Sequence, residues 1–191
     1  MLIDITAEDI ARIFPLAPKA NVLSYWKDLK KAFMAANFSR LETIVALCTI
    51  AAECAPFEPL VEGISKYNTA PGGPPYGLYD GRVDLGNKLP GDGARFCGRG
   101  WVQLTGRANY QKIGPLVGVD LVATPEAAMY SLIGAQILVA FLTSGNKRAR
   151  FVHFATDGDL ASLRKTVNGG INGLDHFKAA WKLAFATLPV W

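Results

Sequence analysis

The strongest constraint on the fold is the run that begins at Ser39. Ser39-Arg40-Leu41-Glu42 is a capping box, a Ser whose hydroxyl accepts from the third helical N–H while a Glu reaches back to the cap. The helix it opens should run to about Cys54. It carries Ile44, Val45, Leu47, Cys48, Ile50, Ala51 and Ala52, apolar nearly all the way round. A helix without a polar face has to be covered on every side, so this one belongs at the centre of the fold.

Other helices are arranged around that expectation. Thr6 caps a helix with Glu8 and Asp9 in its first turn, and Pro15 and Pro18 end it. A second runs from about Asn21 to Ala36, with Leu23, Trp26, Leu29 and Phe33 at helical spacing. Residues 71–100 hold nine Gly and four Pro, which predicts a long loop with short hairpins at most. A helix over about Arg107–Val117 follows. Thr124-Pro125 starts another that runs to Thr143 or Ser144 and stops at Gly145. Asp159 to Val167 and Leu174 to Leu188 complete the set. The fold class is mainly α, one domain over residues 1–191, with a small β element in the central Gly/Pro-rich loop and no separate wall-binding domain.

The chain has 191 residues, half of them hydrophobic and 19% charged, enough for a sizeable core and unlike a disordered sequence. The net charge of +4 suits an anionic partner such as a bacterial cell wall. Nucleic acid is the rival, but the only basic run, Lys147-Arg148-Ala149-Arg150, lacks interleaved aromatics and reads as a solvated helix end. Met1-Leu2-Ile3-Asp4 does not open a signal peptide, and the apolar runs Ile44–Ala52 and Ile137–Leu142 are too short to span a bilayer. The expectation is cytoplasmic synthesis without membrane insertion. Three cysteines and two histidines supply no metal cluster of the usual kind, and no cofactor is implied.

The segment with most chemistry is residues 95–109, Arg-Phe-Cys-Gly-Arg-Gly-Trp-Val-Gln-Leu-Thr-Gly-Arg-Ala-Asn. Gly98 and Gly100 bracket Arg99, so the backbone is free to turn tightly or approach a ligand. Trp101, Gln103, Thr105 and Asn109 offer a ring, an amide, a hydroxyl and a second amide. Sugars take that set, with flat faces matched by rings and hydroxyls by neutral hydrogen-bonding groups. A Gly-rich turn leading into a short strand is the alternative. Glu53 stands apart among the acids. It closes the apolar helix, where the dipole disfavours negative charge and the neighbours solvate it poorly. That setting favours the protonated form, as a general acid at neutral pH requires. A Glu that simply reaches solvent at a helix end is the other reading.

The segment Gly98 to Tyr110, GRGWVQLTGRANY, resembles the signature of glycoside hydrolase family 19, the chitinases and the phage and bacterial endolysins related to them. Ile50-Ala51-Ala52-Glu53 with Phe57, Glu62 through Tyr67-Asn68, and Val167-Asn168-Gly169-Gly170 resemble the endolysin branch. So does Tyr79-Asp80-Gly81-Arg82 with Gly91-Asp92-Gly93-Ala94-Arg95. The resemblance extends from about residue 6 to about residue 180 and implies a lysozyme-like helical architecture.

The resemblance also implies roles. Glu53 would be the general acid and Glu62, nine residues on, the general base, with Glu58 as a competitor. An inverting glycosidase places its two carboxyl groups roughly 6.5–9.5 Å apart around a water. Thr105 matches the hydroxyl that holds that water. Gln103, Asn109 and Asn168 match sugar contacts, and Tyr67 and Asn68 do so less specifically. Arg99 and Trp101 join this binding set, Trp101 with the alternative of a core anchor beneath the loop. Asp80, Asp84 and Asp92 read as turn formers.

Two departures stand out. Many relatives carry His before the catalytic Glu and Gly-Gly after it, where this chain has Ala52 and Cys54-Ala55-Pro56. The acid that plant enzymes place after Asn-Gly-Gly is replaced by Ile171 and Asn172. Cys54 and Cys97 adjoin segments that resemble opposite sides of one cleft, so a disulfide between them is one expectation and two unrelated buried thiols the other.

The function implied is an endolysin-like muramidase, a monomer acting on peptidoglycan glycan strands in the periplasm after release by a holin or a secretion system. A chitinase and a catalytically silent cell-wall-binding module are the alternatives.

Overall fold

The computed structural model describes residues 4–188; the Met1-Leu2-Ile3 start read above for a signal peptide lies outside them. The chain divides into two compact units, one made of residues up to Glu58 and from Leu138 onward, the other of Pro59–Ile137. The architecture is mainly α with a two-stranded β element, as the sequence predicts.

In the first unit α1 (Ala7–Ile13), α2 (Lys19–Ala35) and α3 (Arg40–Glu53) are followed, later in the chain, by α7 (Lys147–Asp157), α8 (Leu160–Asn168) and α9 (Leu174–Thr187). Thr6 and Ser39 both form complete capping boxes, with Asp9 and Glu42. α3 is buried continuously from Glu42 to Ile50 and packs chiefly on α9. Each large apolar side chain removed from water there contributes about 1.5–3 kcal/mol. Phe14 and Phe57 meet edge to face at 4.7 Å, and the Asn21 amide donates to Pro56 O at 2.9 Å, which fixes the turn beyond α3.

The basic run is not merely a solvated end. It opens α7, a helix with no local start signal in the sequence, and Arg148 donates to Glu42 Oε1 at 2.5 Å and to the carbonyls of Ala36 and Asn37. Glu42 is 6% exposed, so the pair closes off a buried charge at the start of α3.

In the second unit, strand β1 (Leu60–Val61) pairs antiparallel with β2 (Arg99–Gly100), Leu60 opposite Gly100 and Val61 opposite Arg99. Between them lie 3₁₀ turns at Gly77–Tyr79 and Val83–Leu85 and the short helix α4 (Asp92–Arg95). α5 occupies Arg107–Val117, and Asn87 Oδ1 accepts from its first N–H at 2.9 Å. Asp80 and Asp92 do form turns. Asp80 accepts from Gly91 N and Gly93 N, and Asp92 from Lys88 N and Leu89 N. Gly93 is required, because a Cβ there would lie 2.2 Å from Tyr76 O.

The stretch from Thr124 to Thr143 is not the single helix expected. Pro125–Met129 is 3₁₀, Tyr130 is extended, and α6 runs Ser131–Thr143. Thr124 does not cap, because its hydroxyl donates back to Asp120 O at 2.8 Å. The Ala128 carbonyl is pressed against Gly100 and Gly134, where a Cβ would come within 2.7 and 2.9 Å. Tertiary packing sets the break.

Candidate functional site

Glu53 and Glu62 belong to different units, and each has its own surroundings. Glu53 is the last residue of α3. The Cys54 N–H still reaches Ile50 O, and Pro56 follows, so the helix cannot continue. The Glu53 carboxylate accepts from Arg164 Nη2 at 2.5 Å, so Glu53 is not the poorly solvated acid that its place at the end of an apolar helix suggests. Arg164 is 1% exposed and Glu53 19%. Arg164 Nε donates to Asn172 O at 2.8 Å, so one guanidinium holds both the carboxylate and the loop after α8. Gly169 and Gly173 in that loop have positive φ, and a Cβ on Gly173 would lie 3.2 Å from Ala52 Cβ. The Asn-Gly-Gly segment is therefore shaped to pass close to the end of α3. Asn168 ends α8, exposed, one turn beyond Arg164.

Glu62 follows β1 directly. Its N–H donates to Gly98 O at 2.8 Å and its Oε2 accepts from Gly98 N at 3.0 Å, so the register of the small sheet sets its position. Oε1 accepts from Asn68 Nδ2 at 3.0 Å and from the Tyr79 hydroxyl at 2.6 Å. The Tyr76 hydroxyl donates to Glu62 O at 2.5 Å. Burial, then the hydrogen bond to Glu62 and its charge, push the Tyr79 phenol up to about 12.

Three oxygens converge over the Cα of Gly98. A Cβ there would lie 2.9 Å from Gln103 Oε1, 3.1 Å from Glu62 Oε2 and 3.1 Å from Thr105 Oγ1. Gln103 reaches this place through a left-handed backbone, φ 49°, rare for a residue with a side chain. Its amide nitrogen donates to Leu60 O and Gly100 O. The Thr105 hydroxyl donates to Gln103 O at 2.8 Å, and Asn109 Nδ2 to Thr105 O at 2.7 Å.

Glu62, Gln103 and Thr105 are thus brought together. Tyr67 stands out at 76% exposed, with Lys66 Nζ 5.2 Å from its ring centre. Three of the proposed sugar contacts need correction. Trp101 is fully buried with its ring beside Gly134, which makes it the core anchor and removes its face from any ligand. Asn68 is buried, its amide committed to Glu62 and Gly63 and its oxygen to Ser65 and Thr69, so it serves Glu62. Arg99 turns inward onto the carbonyls of Ala94, Arg95 and Cys97 and the Tyr110 hydroxyl. Glu58 is half-buried at the end of the first unit.

Arg164, Tyr76 and Tyr79 were not anticipated. Arg164 lies four residues before Asn168 on one helix, a spacing that puts both on one face. Tyr79 lies in a segment noted only as a connecting loop. No disulfide forms among the described residues, Cys54 and Cys97 included. Nor do the described residues offer a group of three or more His, Cys, Asp or Glu able to hold a metal, or a helix long and apolar enough to cross a membrane.

The arrangement is a mainly helical one with two hydrogen-bonded carboxylates, Glu53 and Glu62. No family-wide sequence model matches the chain. Over 100 residues it is 27% identical to a glycosyl hydrolase family 19 domain-containing protein of Haemophilus influenzae, a match over 52% of this chain and 46% of that protein. The chain spans about half the length of that curated relative. Chitinase C from Streptomyces griseus is similar in structure, with a TM-score of 0.70 at 14% identity over 96% of this chain and 76% of the other. A bacterial family 19 chitinase aligns with a TM-score of 0.67 at 14% identity, over 96% and 95%. The chain shares the family 19 chitinase fold, and its sequence resembles glycoside hydrolase family 19. Together these likenesses support a glycoside hydrolase.

Proposed function

We propose that the protein hydrolyses the β-1,4 bond between N-acetylmuramic acid and N-acetylglucosamine in peptidoglycan, with inversion. Glu53 donates its proton to the leaving oxygen. Glu62 takes a proton from the attacking water, whose oxygen bonds to the anomeric carbon as the glycosidic bond breaks. Thr105 helps hold that water. Tyr67, Gln103, Asn109 and Asn168 meet the glycan, Tyr67 by stacking.

The observation that carries the reading is the Glu62 carboxylate, anchored by Asn68, Tyr79 and Gly98 beside the Thr105 hydroxyl. A carboxylate fixed this firmly is suited to take a proton at a set position. The short Glu53–Glu62 spacing, which resembles the endolysin branch, and the mildly basic charge favour the cell wall. The second reading is a chitinase, favoured by the likeness to two chitinase structures. Such a protein works as a monomer, reaches the periplasm through a holin or secretion system, and needs no cofactor.

The deciding experiment compares turbidity loss of outer-membrane-permeabilised Gram-negative cells with release of soluble sugar from chitin. Lysis without chitin release supports the muramidase. The reverse supports the chitinase, and neither activity would overturn both in favour of a silent wall-binding module.

A further inference from the structure

Two Asn-Gly pairs follow one another at the end of α8 and beyond it, Asn168-Gly169 and Asn172-Gly173. Glycine has no Cβ to shield its nitrogen, so that nitrogen can reach the amide carbon of the asparagine before it. The structure gives the two pairs opposite settings. Asn168 is the last residue of α8, and Gly169 N donates to Lys165 O at 2.8 Å, which ties up the nitrogen. Asn172 is exposed and lies between α8 and α9, and no described residue accepts from Gly173 N. The Asn172 carbonyl instead accepts from Arg164 Nε at 2.8 Å, and Arg164 is 1% exposed. A cation on the oxygen of a peptide group stabilises the anion left when that group's nitrogen loses its proton, and does so more strongly away from water.

We propose that Asn172-Gly173 is a self-modification site, activated by Arg164, which converts to isoaspartate and places a carboxylate on that arginine beside Glu53. Hydroxide takes the Gly173 N proton. The nitrogen bonds to Asn172 Cγ, and the side-chain nitrogen leaves as ammonia with a proton returned by water, which closes a succinimide ring. A second water then adds to the main-chain carbon of the ring, whose oxygen Arg164 already polarises. The bond from that carbon to Gly173 N breaks, the nitrogen takes a proton from the water, and the acid formed ionises. The chain now runs through Cβ and Cγ, and the former main-chain carbonyl is a free carboxylate. Its oxygen is the one that Arg164 Nε holds, so one guanidinium then serves two carboxylates where it served Glu53 alone.

Incubation of the whole protein in mildly alkaline buffer, followed by proteolysis and mass spectrometry, tests it. The peptide that holds residue 172 should gain about 1 Da, the change from an amide to an acid. Electron-transfer fragmentation should identify isoaspartate there, formed at a rate that rises with hydroxide. Position 172 should convert at least about tenfold faster than position 168, the factor expected of one charge-assisted hydrogen bond. In urea the two positions should convert at similar rates. Asn168→Gln should leave conversion at 172 unchanged, and Arg164→Met should slow it at least about tenfold. Equal rates in the folded protein, or conversion led by position 168, would overturn the proposal. So would aspartate in place of isoaspartate at 172, or a preference for 172 that persists in urea and thus belongs to the sequence neighbours. The comparison of folded with urea-treated protein uses the wild type alone, so it decides the matter even if Arg164→Met does not fold. None of these readouts depends on glycan hydrolysis.

Discussion

Arg164 Nη2 donates to Glu53 Oε1 at 2.5 Å from a position where the arginine is 1% exposed. The two partners are therefore unequal. Removing the glutamate strands a guanidinium in the core, with Nη1 already lacking a hydrogen-bond partner. Removing the arginine leaves a carboxylate that still reaches solvent. Glu53→Ala should accordingly cost about 3 kcal/mol or more in unfolding free energy, the range for a buried charge left alone. Glu53→Gln keeps an oxygen for Arg164 and should cost much less. The glutamine variant is thus the one to assay. Its turnover should fall at least about a hundredfold, because an amide cannot act as the acid. A Glu53→Gln protein near wild-type activity would remove Glu53 from the mechanism.

The Tyr79 hydroxyl stands 2.6 Å from Glu62 Oε1, and this contact is measurable from the tyrosine side. Burial and Glu62 together push the phenol up to about 12. Glu62→Gln removes the negative charge, so Tyr79 should ionise at lower pH, with burial keeping it above an ordinary tyrosine. The difference in ultraviolet pH titration between proteins with and without Tyr79→Phe isolates that one phenol. An unchanged titration in Glu62→Gln would show that the carboxylate and phenol do not interact in solution.

Local signals were the legible ones. Ser39 and Thr6 cap as written because a capping box needs four consecutive residues and nothing else, and Arg107–Val117 forms as read. The break at Tyr130 was not legible, because it depends on Ala128 O meeting Gly100 and Gly134, residues not adjacent to it in sequence. The site divides in the same way. Glu62, Gln103 and Thr105 came from motif resemblance, and geometry groups them. Arg164, 111 residues from Glu53, carried no local mark of that pairing. Trp101 and Asn68 have side chains that suit a sugar as well as a core, and only burial separates the two uses.

Thr105→Val replaces a hydroxyl with a methyl of similar volume. The Gln103 carbonyl then loses its donor, a cost of about 1 kcal/mol in stability. Turnover should fall at least about tenfold and more than affinity does, since in the proposed mechanism the lost contact is to the attacking water rather than to the ground-state glycan. Thr105→Ser restores the hydroxyl and should restore most of the rate. A serine variant as slow as the valine one would mean that Thr105 acts through its packing.

Asp92 gives a stability prediction separate from the chemistry. It is 3% exposed and accepts two bonds from Arg107, at 3.0 Å from Nε and 2.5 Å from Nη2. Arg107 in turn lies 4.6 Å from the Phe96 ring centre. The Arg107 hydrogen bonds hold the Asp92 carboxyl down at about 2, against an opposing contribution from burial. The folded state thus binds this proton more weakly than the unfolded chain, whose Asp titrates near 3.9. The stabilisation is complete above about pH 4 and is lost as pH falls toward 2. Its size is on the order of 2 kcal/mol. Asp92→Asn should lower the unfolding midpoint at pH 7, and the gap to wild type should narrow between pH 4 and pH 2. Urea melts across that range read it directly, and a gap that stays constant with pH would mean that Asp92 contributes through packing and not through its charge.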